Sequence, residues 1–198
     1  MIRKSRFATV ISSLLMLLAV LVVTSSHAQA QVTKPFKIVG LGIAPEGLPL
    51  PGQAARPHWI VGEATHLGRH TGEGTLSTDS AVPQPNGTIT GEFGSVDPFV
   101  FTAANGDKLV CNFGRTAHGA AQPGSFTLTV VGVTGEGAPI VTADFIAEFV
   151  ASPEDSTGRF AGVTGSWIMY ASTEAFVLGS TDPIIYGWDG RGSLTFQK

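Results

Sequence analysis

The chain has 198 residues, with 12 Lys and Arg against 15 Asp and Glu, 25 glycines, 12 prolines and one cysteine. Its net charge of −3 comes with no basic cluster beyond the first six residues, which excludes the electrostatic footprint of a nucleic-acid-binding protein. With Cys111 alone no internal disulfide can form, so an exported fold of this chain must hold by packing.

The first thirty residues read as a secretory signal. Arg3, Lys4 and Arg6 form a positive start, Leu14 to Val23 is unbroken apolar sequence, and Ala28-Gln29-Ala30 places small residues where a signal peptidase reads. The alternative is an uncleaved anchor over Phe7 to Gln29, which Ser12, Ser13, Ser25 and Ser26 weaken. Cleavage after Ala30 removes three basic residues and leaves nine against fifteen acidic ones, a net charge of −6. That balance suits a soluble exported protein, secreted or periplasmic, that meets a membrane only through the signal segment before cleavage.

Residues 31–56 carry Pro35, Pro45, Pro49 and Pro51 among glycines and read as an extended leader with at most one short strand at Phe36 to Leu41. The domain proper is expected over residues 57–198. His58 to Gly68 reads as a first strand, Thr71 to Thr78 as a weaker second and Thr88 to Phe93 as a third. Asn105-Gly106 between Phe99–Ala103 and Lys108–Phe113 predicts a hairpin with a type I′ turn. On the second arm Cys111 is expected as a small buried hydrophobe; a reactive thiol is the alternative.

Phe126, Leu128 and Val130 alternate with threonines, and Val141, Ala143, Phe145, Ala147 and Phe149 alternate with more polar positions. Both segments therefore read as half-buried strands with the named residues inward. Ser166 to Val177 is rich in aromatic and β-branched residues, and Ile184 to Phe196 reads as a last strand kinked at its glycines. No segment after residue 30 keeps a helical period. Short strands punctuated by Gly and Pro point to an all-β protein, a single antiparallel up-and-down barrel of about eight strands that closes its own edges.

Gly158-Arg159-Phe160-Ala161-Gly162-Val163-Thr164-Gly165 resembles the glycine-rich turn-and-strand motif of the allene oxide cyclase and dirigent-like barrels. Gly62 to Gly68 and Thr102 to Asp107 look like recurring pieces of exported bacterial proteins of that shape. The resemblance covers roughly residues 58 to 197 and implies a calycin-like eight-stranded fold. The motif has no chemistry of its own, and the segments around Cys111 and the glutamates do not place the cyclases' catalytic residues on this chain, so the resemblance leaves activity open.

The candidate site residues are His66, Tyr170, Glu174 and Trp188. Glu174 shares its parity with Tyr170 and Phe176, and His66 shares its parity with Ile60, Gly62 and Ala64. A carboxylate and an imidazole converging on an apolar cavity could orient a ligand or move a proton. The alternative is that each is satisfied by backbone or a structural ion pair. Trp188, with Trp167, Tyr170 and Tyr186, lines a cavity mouth or fills the barrel. His66 and His70 lie four apart but across Gly68, with no third ligand by motif, so no metal site is assigned. No cofactor-binding motif and no nucleophile elbow occurs.

Three functional readings follow. The first is an exported barrel that binds a small apolar ligand or acts as an interaction module. The second is an isomerase or cyclase working inside the barrel, which a large cavity with a converging carboxylate would favour. The third is a structural envelope protein whose barrels associate through an outer face, which a filled interior and an apolar outer patch would favour.

Overall fold

The computed structural model describes residues 30–95, 97–116 and 119–197. The expected signal segment therefore lies outside the described residues. The described chain is all-β apart from short turns. Its strands are β1 (Gln31–Ala44), β2 (Arg56–Ala64), β3 (Gly68–Pro83), β4 (Thr88–Gly94), β5 (Phe99–Ala103) and β6 (Lys108–Phe113). They continue with β7 (Gly124–Val133), β8 (Pro139–Ala151), β9 (Thr164–Thr173), β10 (Phe176–Val177) and β11 (Ile184–Gln197). A 3₁₀ turn, Gly158–Phe160, precedes β9.

Every pairing is antiparallel, and the order β2-β1-β11-β9-β8-β6-β5-β3 closes through a β2–β3 ladder into a ring of eight strands. Along one edge, the long strands β3 and β8 each hold two partners in succession. One half of β3 pairs with β5 and the other with β4, while β8 pairs with β6 and then β7. The β5–β6 hairpin and the β4–β7 pair thus fill the same gap at different heights. The ring stays closed along its length and leaves few unpaired edges.

Alternation dictates the interior. On β2, His58 and Ile60 are buried while Trp59 and Val61 face out; on β9, Trp167, Met169 and Ala171 face in. The middle of the barrel is filled by aromatic rings. Phe149 stacks between Phe113 at 4.8 Å and Trp167 at 5.1 Å, and Phe36 and Phe101 pack on Trp167 at 4.9 and 5.5 Å. Cys111 is fully buried in this core, and burial pushes its thiol pKa up.

The structure corrects four local expectations. Residues 31–44, expected as a leader, form β1, which pairs with both β11 and β2. Pro35 is tolerated because the β2 ladder begins only at Ile38, so one side of β1 is an open edge at the proline. The 99–113 hairpin forms with the expected strands, but its loop is not type I′: His66 is the only non-glycine residue of positive φ among the described residues. Instead Gly106 N–H donates to Ala103 C=O at 2.9 Å with Gly106 at φ 88°, a three-residue loop in which the glycine alone is left-handed.

Val130, expected inward, is 43% exposed. β4 begins at Thr88 opposite Thr129, so Val130 runs past its neighbour and its inner face is uncovered. Finally, β11 keeps one unbroken register with β1 from Ile184 to Gln197. No bulge interrupts that ladder at its glycines: a Cβ on Gly190 would collide with the Trp167 indole, and one on Gly192 with the Ser166 carbonyl and the Trp167 main chain.

Candidate functional site: an apolar cavity at one end of the barrel

The two ends of the ring differ. One end gathers the β2–β3 turn, the β5–β6 loop and the 3₁₀ turn. There Phe160 is fully buried, and Arg159 Nε donates to Asp107 Oδ2 at 2.8 Å while its Nη1 donates to the His66 carbonyl at 3.1 Å. The Arg159 guanidinium holds the Asp107 carboxyl below the usual carboxylate range, helped by Asn105.

The other end is covered by the β1–β2 loop, residues 45–55. Arg56 anchors it through the carbonyls of Glu46 and Leu48, and Thr78 Oγ1 donates to the Pro49 carbonyl at 2.6 Å. Beneath Leu48 lies a cavity of about 60 Å³, walled by Ile60, Phe99, Phe145, Met169 and Trp188 among others. A second cavity of about 60 Å³ lies under Pro49 and Leu50. The two share Leu48, Leu76 and Phe145 as lining.

Polar groups on the first cavity are few. Thr75 and Thr173 contribute hydroxyls, and His58 and Tyr186 form a pair, with His58 Nδ1 3.2 Å from the Tyr186 hydroxyl. β2 and β11 bring these two inward from either side of β1. Gly42, the register partner of Tyr186 on β1, leaves the space its ring occupies; a Cβ there would enter the ring. His58 is 6% exposed, and its Nε2 is buried without a hydrogen-bond partner. Burial lowers the His58 pKa to about 4 and raises that of Tyr186, so both are neutral at physiological pH.

Neutrality fixes the proton positions. The Tyr186 hydroxyl has no hydrogen-bond partner other than His58 among the described residues, so it donates to His58 Nδ1. The reverse arrangement would strand both the phenol proton and the Nε2 lone pair. His58, which lines the cavity, therefore carries its proton on Nε2 as a buried, unmatched N–H donor.

Of the four candidate residues, only Trp188 lines this cavity. His66 sits in the β2–β3 turn at the opposite end, its Nε2 donating to the Pro35 carbonyl at 3.2 Å and its ring against Phe196. Tyr170 faces outward and is 53% exposed. Glu174 is exposed just past β9, on the outer parity. The expected convergence of Glu174 and His66 does not occur. Both faces of β9 are apolar, Ile168 and Tyr170 on one side and Trp167 and Met169 on the other, so alternation alone could not say which face is inside.

His70, by contrast, is buried, with Nδ1 donating to the Gly68 carbonyl at 3.1 Å; no cluster of three or more metal-ligating side chains occurs among the described residues. Sequence reasoning missed His58 as a site residue and left Tyr186 among general barrel aromatics. The signal was the parity His58 shares with Ile60, together with the alternating Gly40 and Gly42 that make room for Trp188 and Tyr186. Compared with known proteins, the chain matches no family model and no curated protein.

Proposed function

We propose that this is an exported binding protein that takes a small apolar ligand into the loop-covered end of its barrel. The observation that carries the reading is the apolar cavity under Leu48, two of whose lining residues, His58 and Trp188, hold a buried ring nitrogen without a partner. Sites of this kind, mostly apolar with a few placed polar groups, bind small molecules. No carboxylate lines the cavity among the described residues, so it lacks the group an isomerase of the expected kind would use. The kinship with allene oxide cyclase and dirigent-like barrels belongs to this proposal and is supported by the closed eight-stranded ring.

Methyl-resolved NMR titration with benzene and cyclohexane tests the reading. Shifts at Ile60, Met169 and Leu48 are expected, and Ala171→Leu, which narrows the cavity, should reduce them. Unmoved methyls in the wild type would refute it. Export is tested by N-terminal sequencing of the secreted or periplasmic protein, which should begin at Gln31, the first residue of β1. Recovery of the full-length chain from membranes would instead show an anchor.

A second reading is favoured by the outer surface. Val39, Leu41, Trp59, Val61 and Ile185 are each more than half exposed. Register places Leu41 between Val61 and Gly187, and Ile43 between Trp59 and Ile185, so β2, β1 and β11 present one continuous apolar face. Such faces mark interaction sites, including contacts between copies of a chain. Sedimentation velocity should show a species larger than the monomer that Leu41→Lys dissociates. A wild type monomeric at high concentration would remove this reading.

A further inference from the structure

Building on the proposed cavity, we infer that its ligand is a neutral carbonyl compound, a ketone, aldehyde or ester on a compact apolar body, whose oxygen accepts a hydrogen bond from His58 Nε2. The argument begins with the proton assigned above. Tyr186 occupies Nδ1, so His58, a lining residue, keeps an unmatched donor at Nε2 and no acceptor on the same ring. A buried donor left unmatched is costly, and a ligand that supplies the acceptor relieves that cost.

The remaining lining selects against charge. It holds no Lys, Arg, Asp or Glu among the described residues; besides His58 its polar side chains are Thr75, Thr173, Tyr186 and Trp188, whose indole Nε1 is a second unmatched donor. An ionised carboxylate or ammonium placed there would lose its hydration without gaining a counter-charge. A hydrocarbon would fit the apolar walls but leave Nε2–H unmatched. A neutral carbonyl meets both conditions.

The size of the site limits the ligand as well. About 60 Å³ suits a small ring or short chain. The second cavity, of similar size, shares Leu48 as lining, so a longer apolar tail has a route beneath the β1–β2 loop when that side chain turns aside.

The test uses the full barrel and three probes built on one five-membered ring: cyclopentanone, cyclopentane and cyclopentanecarboxylate. Binding is read from methyl shifts, and the His58 side chain from its imidazole ¹⁵N resonances. Cyclopentanone should shift Nε2, and His58→Phe should weaken it about tenfold while leaving cyclopentane within about twofold, the size expected for one hydrogen bond to an otherwise unmatched buried donor. If His58→Phe fails to fold, the wild-type Nε2 response to ketone against hydrocarbon decides the matter.

Equal weakening of ketone and hydrocarbon would make His58 a mere wall and overturn the inference. So would tighter binding of the carboxylate than of the ketone. Binding of cyclopentane without cyclopentanone would overturn the carbonyl assignment and leave the cavity reading standing. Binding of none of the three would overturn both.

Discussion

The two ends of the barrel are built on opposite terms. At the end closed by the 3₁₀ turn, a fully buried Phe160 fills the interior, and Arg159 ties Asp107 to the His66 turn. Gly158 is required there because a Cβ would collide with the Asp107 carboxylate. No buried unpartnered polar side chain belongs to residues 158–165, although His70 beside the β2–β3 turn keeps its Nε2 unmatched. At the loop-covered end the core gives way to two cavities and a histidine with a free donor. The segment with the most distinctive sequence thus serves closure, and the segment fit for binding has no motif. In the proposed reading, stability and function are divided along the barrel axis.

The comparison breaks if the closed end turns out to be tolerant. Phe160→Ala should cost about 3–5 kcal/mol in chemical denaturation, the usual range for deleting a buried aromatic. Leu48→Ala, at a partly exposed lid position, should cost clearly less. A similar loss at both sites would erase the division.

Acid sharpens it next. The folded-state pKa of His58 is lowered from 6.5 to about 4, so the unfolded chain takes up a proton at His58 before the folded one does. Stability should therefore be flat with respect to this group above pH 6.5, fall between 6.5 and about 4, and level off below, by on the order of 3 kcal/mol in all. His58→Phe should flatten that window in urea titrations run across pH. An unchanged slope would mean that His58 is solvated in the folded protein.

The hairpin loop beside the closed end gives a smaller effect. Gly106 stands at φ 88° in open space, so Gly106→Val should cost about 1 kcal/mol through backbone strain alone. An unchanged melting temperature would contradict the loop geometry.

The smallest effect concerns Asp107, whose pKa is held below 3.8 mainly by its bond to Arg159. The stabilisation it gives is present above that value and is lost as pH falls through the lower folded pKa. Asp107→Asn should thus blunt the acid sensitivity in that most acidic range and leave the His58 window untouched. If the variant instead altered the slope between pH 4 and 6.5, the two ends would be coupled.

Strand composition, Gly and Pro spacing and the Asn-Gly turn were enough to read the all-β class, the approximate strand number and the β5–β6 hairpin. Alternation placed the inward residues of β8, from Val141 to Phe149, because their opposite face carries Thr142, Asp144 and Glu148. It failed on β9, where both faces are apolar. It failed on β1 for a related reason. Val39, Leu41 and Ile43 face outward there while Gly40 and Gly42 face in, so the usual pattern is inverted and the segment looks like a leader.

Hydrophobic patterning cannot reveal that a glycine is inside to admit a partner's ring. That depends on Tyr186 and Trp188, about 145 residues away in the chain but directly opposite in register. For the same reason the His58–Tyr186 pair, joined across β1, was not legible from spacing. His58 was visible only as the head of a strand, and its lone donor emerges once the barrel closes.

A crystal structure of the barrel under xenon pressure tests the central claim most directly. Xenon enters small dry apolar cavities and ignores filled ones. It should appear under Leu48, between Phe99, Phe145 and Ile60, and be absent around Phe160. Xenon at the Phe160 end, or none beneath the β1–β2 loop, would contradict the division of the barrel into a packed end and a receiving one.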